Sequence, residues 1–532
     1  MAQAIVITVL LAARPATHPD TLVVCPERFR EAFAPWVEHR RSQGRHIVLL
    51  RSRSDPRHIR TAIRDRAGSH LRFIVLVGDA APDAAASAPD ALVPTFHVRA
   101  RVNIHWGSES HIASDDVYAD LDSDGVPDVA IGRLSCDSPE ELRQVIGRIL
   151  RYEKNQDFGT WRRRINFVAG VGDFGAMADR TLELATKAVI RQHIPPGYSV
   201  SMTYASPSSP YCPHPLNLRR TALERLNEGC LFWAYIGHGH VLSLDRPAVH
   251  DDPLLTHSDM PLLNCRRGQP IAALWCCYAG AFDANQDCLA EQMLRAPGGP
   301  VAVLAGSRVT MPYGMAVLGT ELLHAVFRDR HDCLGMAILS AKQQLLRAEQ
   351  PTAQRAALDQ IAASLSPRPA QLAEERHEHM HLFNLLGDPL LRIKVPQPLR
   401  VTVPRLVAAG QRLTIHADSP IRGRAVVELA RRRGSLPQEA HPSPRNVAGQ
   451  SASRESSLRA YQAANETRLA AAEMDVGVGR FHAALPVPRE ARGTCRIRIF
   501  VEGTDNFAVG SAPVRIVSDR TARLPGPSTD TR

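Results

Sequence analysis

The chain of 532 residues reads as an α/β protein built on a parallel sheet, followed by a smaller β-sandwich. Three observations predict this. From residue 20 onward, short apolar runs alternate with helical patterns as strand, helix, strand, helix, strand, which calls for parallel pairing through right-handed crossovers. Two later runs, Leu231-Phe232-Trp233-Ala234-Tyr235-Ile236 and Ile271-Ala272-Ala273-Leu274-Trp275, are apolar on successive positions, as strands covered on both faces are. After Pro396 the texture changes to short alternating strands at sandwich spacing.

Taken in order, residues 1–19 form an N-terminal segment whose apolar stretch 4–13 reads as a strand or a short signal core. Residues 20–158 form a first α/β subdomain. It has strands at Leu22–Val24, His46–Leu50 and Phe73–Val77, and helices at Glu27–Gln43 (closed by Gly44) and Pro56–Ala67. An acidic loop at 120–128, a strand at Val129–Gly132 and a helix over Pro139–Asn155 complete it. Residues 159–396 form a second α/β subdomain. Its strands are Ile165–Ala169, Tyr198–Tyr204, the two apolar runs above and Val301–Ala305, with helices at Met177–Gln192, 315–328 and 333–348. The segment Leu382–Lys394 closes it. Residues 397–518 form the sandwich, with strands at Leu399–Val403, Arg412–Ile415, Ala425–Leu429, Cys495–Val501 and Ala512–Ile516. The polar stretch 434–478 lacks apolar periodicity and is expected to be a mobile insertion, and 519–532 a disordered tail.

Composition narrows the function. The net charge is +10, but four lysines leave nearly all of the positive charge to arginines spread along the chain, and aromatics make up 5%. A nucleic-acid surface needs a concentrated basic stripe with interleaved aromatics, so no nucleic-acid partner is expected. No apolar run is long enough to span a membrane. Ten cysteines without framework spacing argue against a disulfide scaffold.

The chemistry is concentrated where the two apolar runs stop. The first ends in Gly237-His238-Gly239 and the second in Cys276-Cys277-Tyr278. Residues just past the carboxyl ends of parallel strands line the crevice of an α/β protein. A thiol needs a base or a positive field to become a nucleophile. His238 is suited to that and to protonating a leaving amine. The backbone N–H of Gly239, with that of the nucleophile, is suited to a developing oxyanion. The bland reading is that Cys277 packs and that Gly-His-Gly is a turn; spacing alone leaves both readings open.

Tyr235-Ile236-Gly237-His238-Gly239, Cys277-Tyr278-Ala279-Gly280-Ala281-Phe282, Cys288-Leu289-Ala290-Glu291, Asn384-Leu385-Leu386-Gly387-Asp388-Pro389 and the run Ala113–Asn155 resemble, in this order, the gingipain family of cysteine peptidases. The resemblance covers roughly residues 20–395. It implies a caspase-like fold in two subdomains, then an immunoglobulin-like domain. It also implies His238 as catalytic histidine, Cys277 as nucleophile, a polypeptide substrate, and a secreted or periplasmic compartment. It further implies an acid assisting the histidine, for which Asp137 is the candidate and Glu140 the fallback. The acidic pocket residue that reads basic side chains in the best-known members has no counterpart at 145–148.

Three further motifs compete. Asp120-x-Asp122-x-Asp124-Gly125-x-x-Asp128 matches the first nine positions of an oxygen-rich calcium loop, and Ile131 stands where an EF-hand has glutamate; structural calcium is expected here. His377-Glu378-His379-Met380-His381 matches HExxH, the alternative of a zinc metallopeptidase, but it lacks a third ligand at the expected spacing and leads into an apolar run. Gly170-Val171-Gly172-Asp173-Phe174-Gly175 mimics a dinucleotide fingerprint without the acid that should end the next strand, so no organic cofactor is expected. The sequence therefore predicts a cysteine endopeptidase. The alternatives are the zinc enzyme and a non-catalytic binding protein on the same scaffold.

Overall fold

The computed structural model describes residues 18–80, 91–172, 176–245, 253–347, 352–437, 440 and 453–518. The N-terminal stretch 4–13, the tail 519–532, part of the insertion 434–478 and residues 173–175 of the glycine-rich turn lie outside the described residues.

Ten strands make the central sheet. They are β1 (Thr21–Val24), β2 (Ile47–Leu50), β3 (Phe73–Val77), β4 (Ala130–Leu134), β5 (Arg164–Ala169), β6 (Ser199–Tyr204), β7 (Phe232–Ile236), β8 (Ile271–Trp275), β9 (Ala302–Gly306) and β10 (Phe383–Leu386). Their order is β2-β1-β3-β4-β10-β9-β8-β7-β5-β6. Every neighbouring pair is parallel except β9 and β10. The two halves of the sheet therefore run in opposite directions, with the seam at β9/β10. Val23, Leu134, Leu274 and Val303, drawn from both halves, belong to one apolar core. The apolar runs become strands because both faces are covered: β3, β8, β9 and β10 are buried at every position.

The seam explains the motif Asn384–Pro389. Asn384 accepts from the Asp115 N–H (3.0 Å) and donates to the Ala113, His381 and Leu382 carbonyls. Asp388 is fully buried, accepting from Trp36 and from Arg40, each at 2.5 Å, and Arg40 also pairs with Glu153. A buried carboxylate and guanidinium are tolerated because each is hydrogen-bonded.

Helices over Leu218–Asn227, Leu289–Arg295, Ala353–Leu365 and Leu372–Leu382, and a hairpin of Phe96–Arg99 with His111–Ser114, add to those expected from the sequence. Among the described residues no helix is long and apolar enough to cross a membrane. Beyond β10, a three-stranded and a six-stranded sheet share one apolar core that includes Leu413, Ile415, Val427 and Ile499. The insertion 434–478 was expected to lack regular structure. It instead holds a helix, Arg454–Asn465, capped by Ser453, and a strand, Arg468–Val476, that pairs with Gly423–Arg431. The strand's alternation is blurred by alanines and by charges on its open face, which hides it from a periodicity reading.

Candidate active site

β7 and β8 are neighbours, with Ile236 opposite Trp275. His238 and Cys277 each follow their strand by two residues, so both emerge at the same end of adjacent parallel strands. The Gly237 N–H extends the pairing to the Trp275 carbonyl (3.2 Å). The backbone of His238 is pinned at its carbonyl, which accepts from the Tyr235 hydroxyl (2.7 Å) and the Asp245 N–H (3.0 Å). Its ring Nε2 lies 2.9 Å from the Gly172 carbonyl. A carbonyl only accepts, so Nε2 donates its N–H to it. Gly172 belongs to the glycine-rich turn after β5. A Cβ at Gly170 in that turn would run into the Asp245 carboxylate, which accepts from the Val171 N–H.

The two adjacent cysteines separate as alternation on a strand requires. Cys276 is fully buried, and burial pushes its thiol well above the ordinary range. Cys277 is half-buried. Its Sγ lies 3.3 Å from the Thr310 N–H, 3.6 Å from Thr310 Oγ1 and 3.7 Å from the Thr310 carbonyl. Gly239 packs so closely that a Cβ there would sit 2.5 Å from the Cys277 carbonyl. The bridge between Gly239 and Leu244 is made by the N–H of His240 and the carbonyl of His238. Among the described residues, none accepts from the N–H of Gly239 or of Cys277.

The loop after the thiol is held on its far side. Tyr278 adopts φ +57°, uncommon for a non-glycine residue, and is fixed by its N–H to the Arg308 carbonyl (3.2 Å) and its hydroxyl to Glu109 (3.0 Å). Arg308 pairs with Asp283 (2.5 Å), and His97 reaches the same carboxylate (2.9 Å). Burial would raise the Asp283 carboxyl, but these two partners hold it well below the usual range. Glu109 and His97 come from the hairpin segment, which thereby straps the loop after Cys277 to the other half of the molecule. Beside Tyr278 lies a groove of about 370 Å³ lined by His240, Val241, Leu242, Ser243 and Gln286.

Asp137 does not come to His238, a correction to the sequence reading. β4 pairs with β10 at Arg133–Leu386, and Leu386 faces Val303 near the amino end of β9. The carboxyl end of β4, from which Asp137 follows, therefore lies at the sheet edge opposite Cys277. There Asp137 pairs with Arg295 (2.5 Å), which Glu141 also approaches (3.2 Å). The fallback Glu140 sits in the first turn of the same helix and pairs with Arg143. Position in sequence cannot show on which edge a loop emerges when the sheet reverses at a late strand such as β10.

His377 and His381 do share a helix face, with ring centroids 5.3 Å apart. Glu378, however, is buried and accepts from the N–H groups of Arg101, Val102 (2.7 Å) and Asn103 (2.9 Å), so it is not free to act as a base. Among the described residues no third ligand joins these histidines. In the acidic loop, ligand atoms of Asp120, Asp122 and Asp124 lie within 4.8 Å of one another. Asp128 instead accepts from the Leu121 N–H (2.7 Å), and Arg60 pairs with Asp120 (3.1 Å). Sequence reasoning gave no role to Gly172, Tyr235, Asp245 or Thr310; Tyr235 stood in the motif ending at Gly239, and the glycine-rich turn carried a signal that pointed to a different chemistry.

Comparison with known proteins gives the family and the fold. The model of peptidase family C25 matches residues 14–394. Lys-gingipain of Porphyromonas gingivalis is 25% identical over 278 residues, covering 52% of this chain and 15% of that protein. Gingipain R1 of the same organism is 22% identical over 389 residues, covering 68% of this chain and 34% of that protein. The chain thus spans well under half the length of these relatives. The crystal structure of the Arg-specific cysteine proteinase gingipain R superposes with a TM-score of 0.52 at 15% identity, over 95% of this chain and 99% of that one, so the fold is shared. With the family model matching most of its length and the gingipain fold underneath, the chain belongs to peptidase family C25.

Proposed function

We propose that the chain is a cysteine endopeptidase acting through His238 and Cys277. The observation that carries the reading is the register of β7 and β8, which delivers an imidazole and a half-exposed thiol to the same end of two adjacent strands. The His238 imidazole takes the thiol proton. The Cys277 thiolate attacks the scissile carbonyl, forming the S–C bond, and the oxyanion is received by the N–H groups of Gly239 and Cys277. Collapse expels the amine, which takes the proton back from the imidazolium. Water, deprotonated by the same imidazole, then hydrolyses the acyl-enzyme. In this scheme the Gly172 carbonyl helps to hold the ring.

Calcium at Asp120, Asp122 and Asp124 is proposed as structural. Three converging carboxylates suit a hard cation, while Arg60 and the turn N–H groups already meet part of their charge. We also read residues 397–518 as an immunoglobulin-like unit and 20–158 and 159–396 as the two subdomains. The deciding experiment incubates the protein with a diverse peptide library, with and without iodoacetamide or a zinc chelator. The expected result is internal cleavage abolished by alkylation and retained with the chelator; loss with the chelator alone would transfer the activity to a metal.

A further inference from the structure

We propose that His379, the middle residue of His377-Glu378-His379-Met380-His381, is a positioning residue for the nucleophile: it holds the Thr310–Met311 segment whose amide and hydroxyl orient the Cys277 sulfur. This rests on the reading of Cys277 as nucleophile. The chain of contacts is short. Thr310 meets Sγ through its N–H at 3.3 Å and through Oγ1 at 3.6 Å. The next residue, Met311, donates its N–H to Nε2 of His379 (2.9 Å). The opposite ring nitrogen, Nδ1, lies 2.7 Å from the Glu375 carbonyl. A backbone N–H can only donate, so Nε2 is the acceptor and Nδ1 carries the proton. The ring is fully buried, and burial lowers its pKa to about 4, so it stays neutral and keeps this acceptor.

The ring is also clamped. A Cβ at Gly314 would overlap it, and the Gly314 N–H donates to the Glu375 carboxylate (3.0 Å). The helix Pro312–Phe327 therefore starts from a segment fixed at two successive points by the helix Leu372–Leu382, and Thr310 is the last residue before those points. The sulfur has three neighbours in Thr310: the N–H donates to it, the carbonyl at 3.7 Å can accept from it when it is protonated, and the hydroxyl, which also lies 3.3 Å from Met315 Sδ, can turn towards it when it is ionised. A displaced Thr310 would leave the sulfur in another rotamer, and small misplacements of reacting atoms cost large factors in rate. The motif that resembles a zinc site thus serves the thiol: Glu378 anchors residues 101–103, and His379 anchors residues 310–311.

The test compares His379→Leu, which has no acceptor, with His379→Gln, whose carboxamide oxygen can accept from Met311. Cys277 alkylation by iodoacetamide is followed by mass spectrometry, together with kcat and KM. The other nine cysteines are buried, so labelling reports Cys277. His379→Leu should slow alkylation and kcat about tenfold or more with KM nearly unchanged, and His379→Gln should restore most of both. A folded His379→Leu protein that labels and turns over like the parent overturns the proposal. If His379→Leu does not fold, Thr310→Val carries the test: loss of the hydroxyl should slow alkylation at least about threefold, and an unchanged rate is the contrary result. A parent protein that labels normally but cleaves no peptide removes the peptidase reading while leaving the alkylation comparison intact.

Discussion

At the scale of the residue, two positions make separable claims. Gly239 abuts the Cys277 carbonyl and the Cys276 sulfur. Gly239→Ala should therefore cut kcat about a hundredfold, since it moves both the amide and the nucleophile loop, and a crystal structure of the variant should show the turn displaced. Full activity in Gly239→Ala would remove this amide from the oxyanion site. Glu291 is fully buried, and burial, reinforced by Asp79, raises its carboxyl to about 8. Its oxygens accept from Ser135 (2.5 Å) and from the Cys288 N–H (2.8 Å). The folded state thus holds a proton that the unfolded chain releases near pH 4.5, and this contribution is present at low pH and lost as pH rises towards 8. Glu291→Gln imitates the protonated form, so its stability relative to the parent should improve across that window, by at most roughly 1.4 kcal/mol per pH unit. Denaturant melts at pH 5 and pH 8 check this; a constant difference would mean that Glu291 is ionised throughout.

At the scale of the element, the strands of the central sheet were legible, while several helices, the hairpin of Phe96–Arg99 with His111–Ser114 and the strand Arg468–Val476 were not. β3, β8 and β9 are unbroken apolar runs, and their burial on both faces follows from composition alone. The helix Leu372–Leu382 escaped because its buried face carries Glu375, Glu378, His379 and His381. Those polar groups are satisfied by residues 101–103, 114, 311 and 314, remote in sequence, so local pattern shows no apolar stripe. His238 and Cys277 could be read because each ends a recognisable strand. The Gly172 carbonyl could not, because any residue has one. The acidic loop belongs to this scale. Asp128 caps the loop's start at Leu121, and β4 begins two residues later. Ordering the loop with calcium should raise the melting temperature by a few degrees, roughly 1–3 kcal/mol at saturating metal, and EGTA should reverse it. Identical melts in both conditions would exclude a metal there.

At the scale of the whole molecule, the unit after residue 396 is bonded to the sheet rather than merely tethered. Glu428 is buried between Arg163 (2.9 Å) of the α/β part and Arg498 (3.0 Å) of its own sheet. Phe158 packs with Phe500 and Phe507. Asn465 pairs its side-chain amide with both the N–H (2.7 Å) and the carbonyl (2.9 Å) of Met202 on the edge strand β6, covering an otherwise open edge. Removing one partner of a buried ion network leaves an uncompensated charge, so Glu428→Ala should destabilise by about 3–5 kcal/mol. In urea melts a change below about 0.5 kcal/mol would mark the junction as loose. The contacts also imply that the unit after residue 396 supports the half of the sheet that carries His238, although both proposed catalytic positions precede it. The central claim is that one thiol of the adjacent pair does the chemistry. Mass spectrometry of the intact protein after a thiol-directed peptide inhibitor, run beside peptide turnover on Cys276→Ala and Cys277→Ala, tests it most directly. A single adduct and full turnover are expected in Cys276→Ala, with neither adduct nor turnover in Cys277→Ala; turnover persisting in Cys277→Ala is the contrary result.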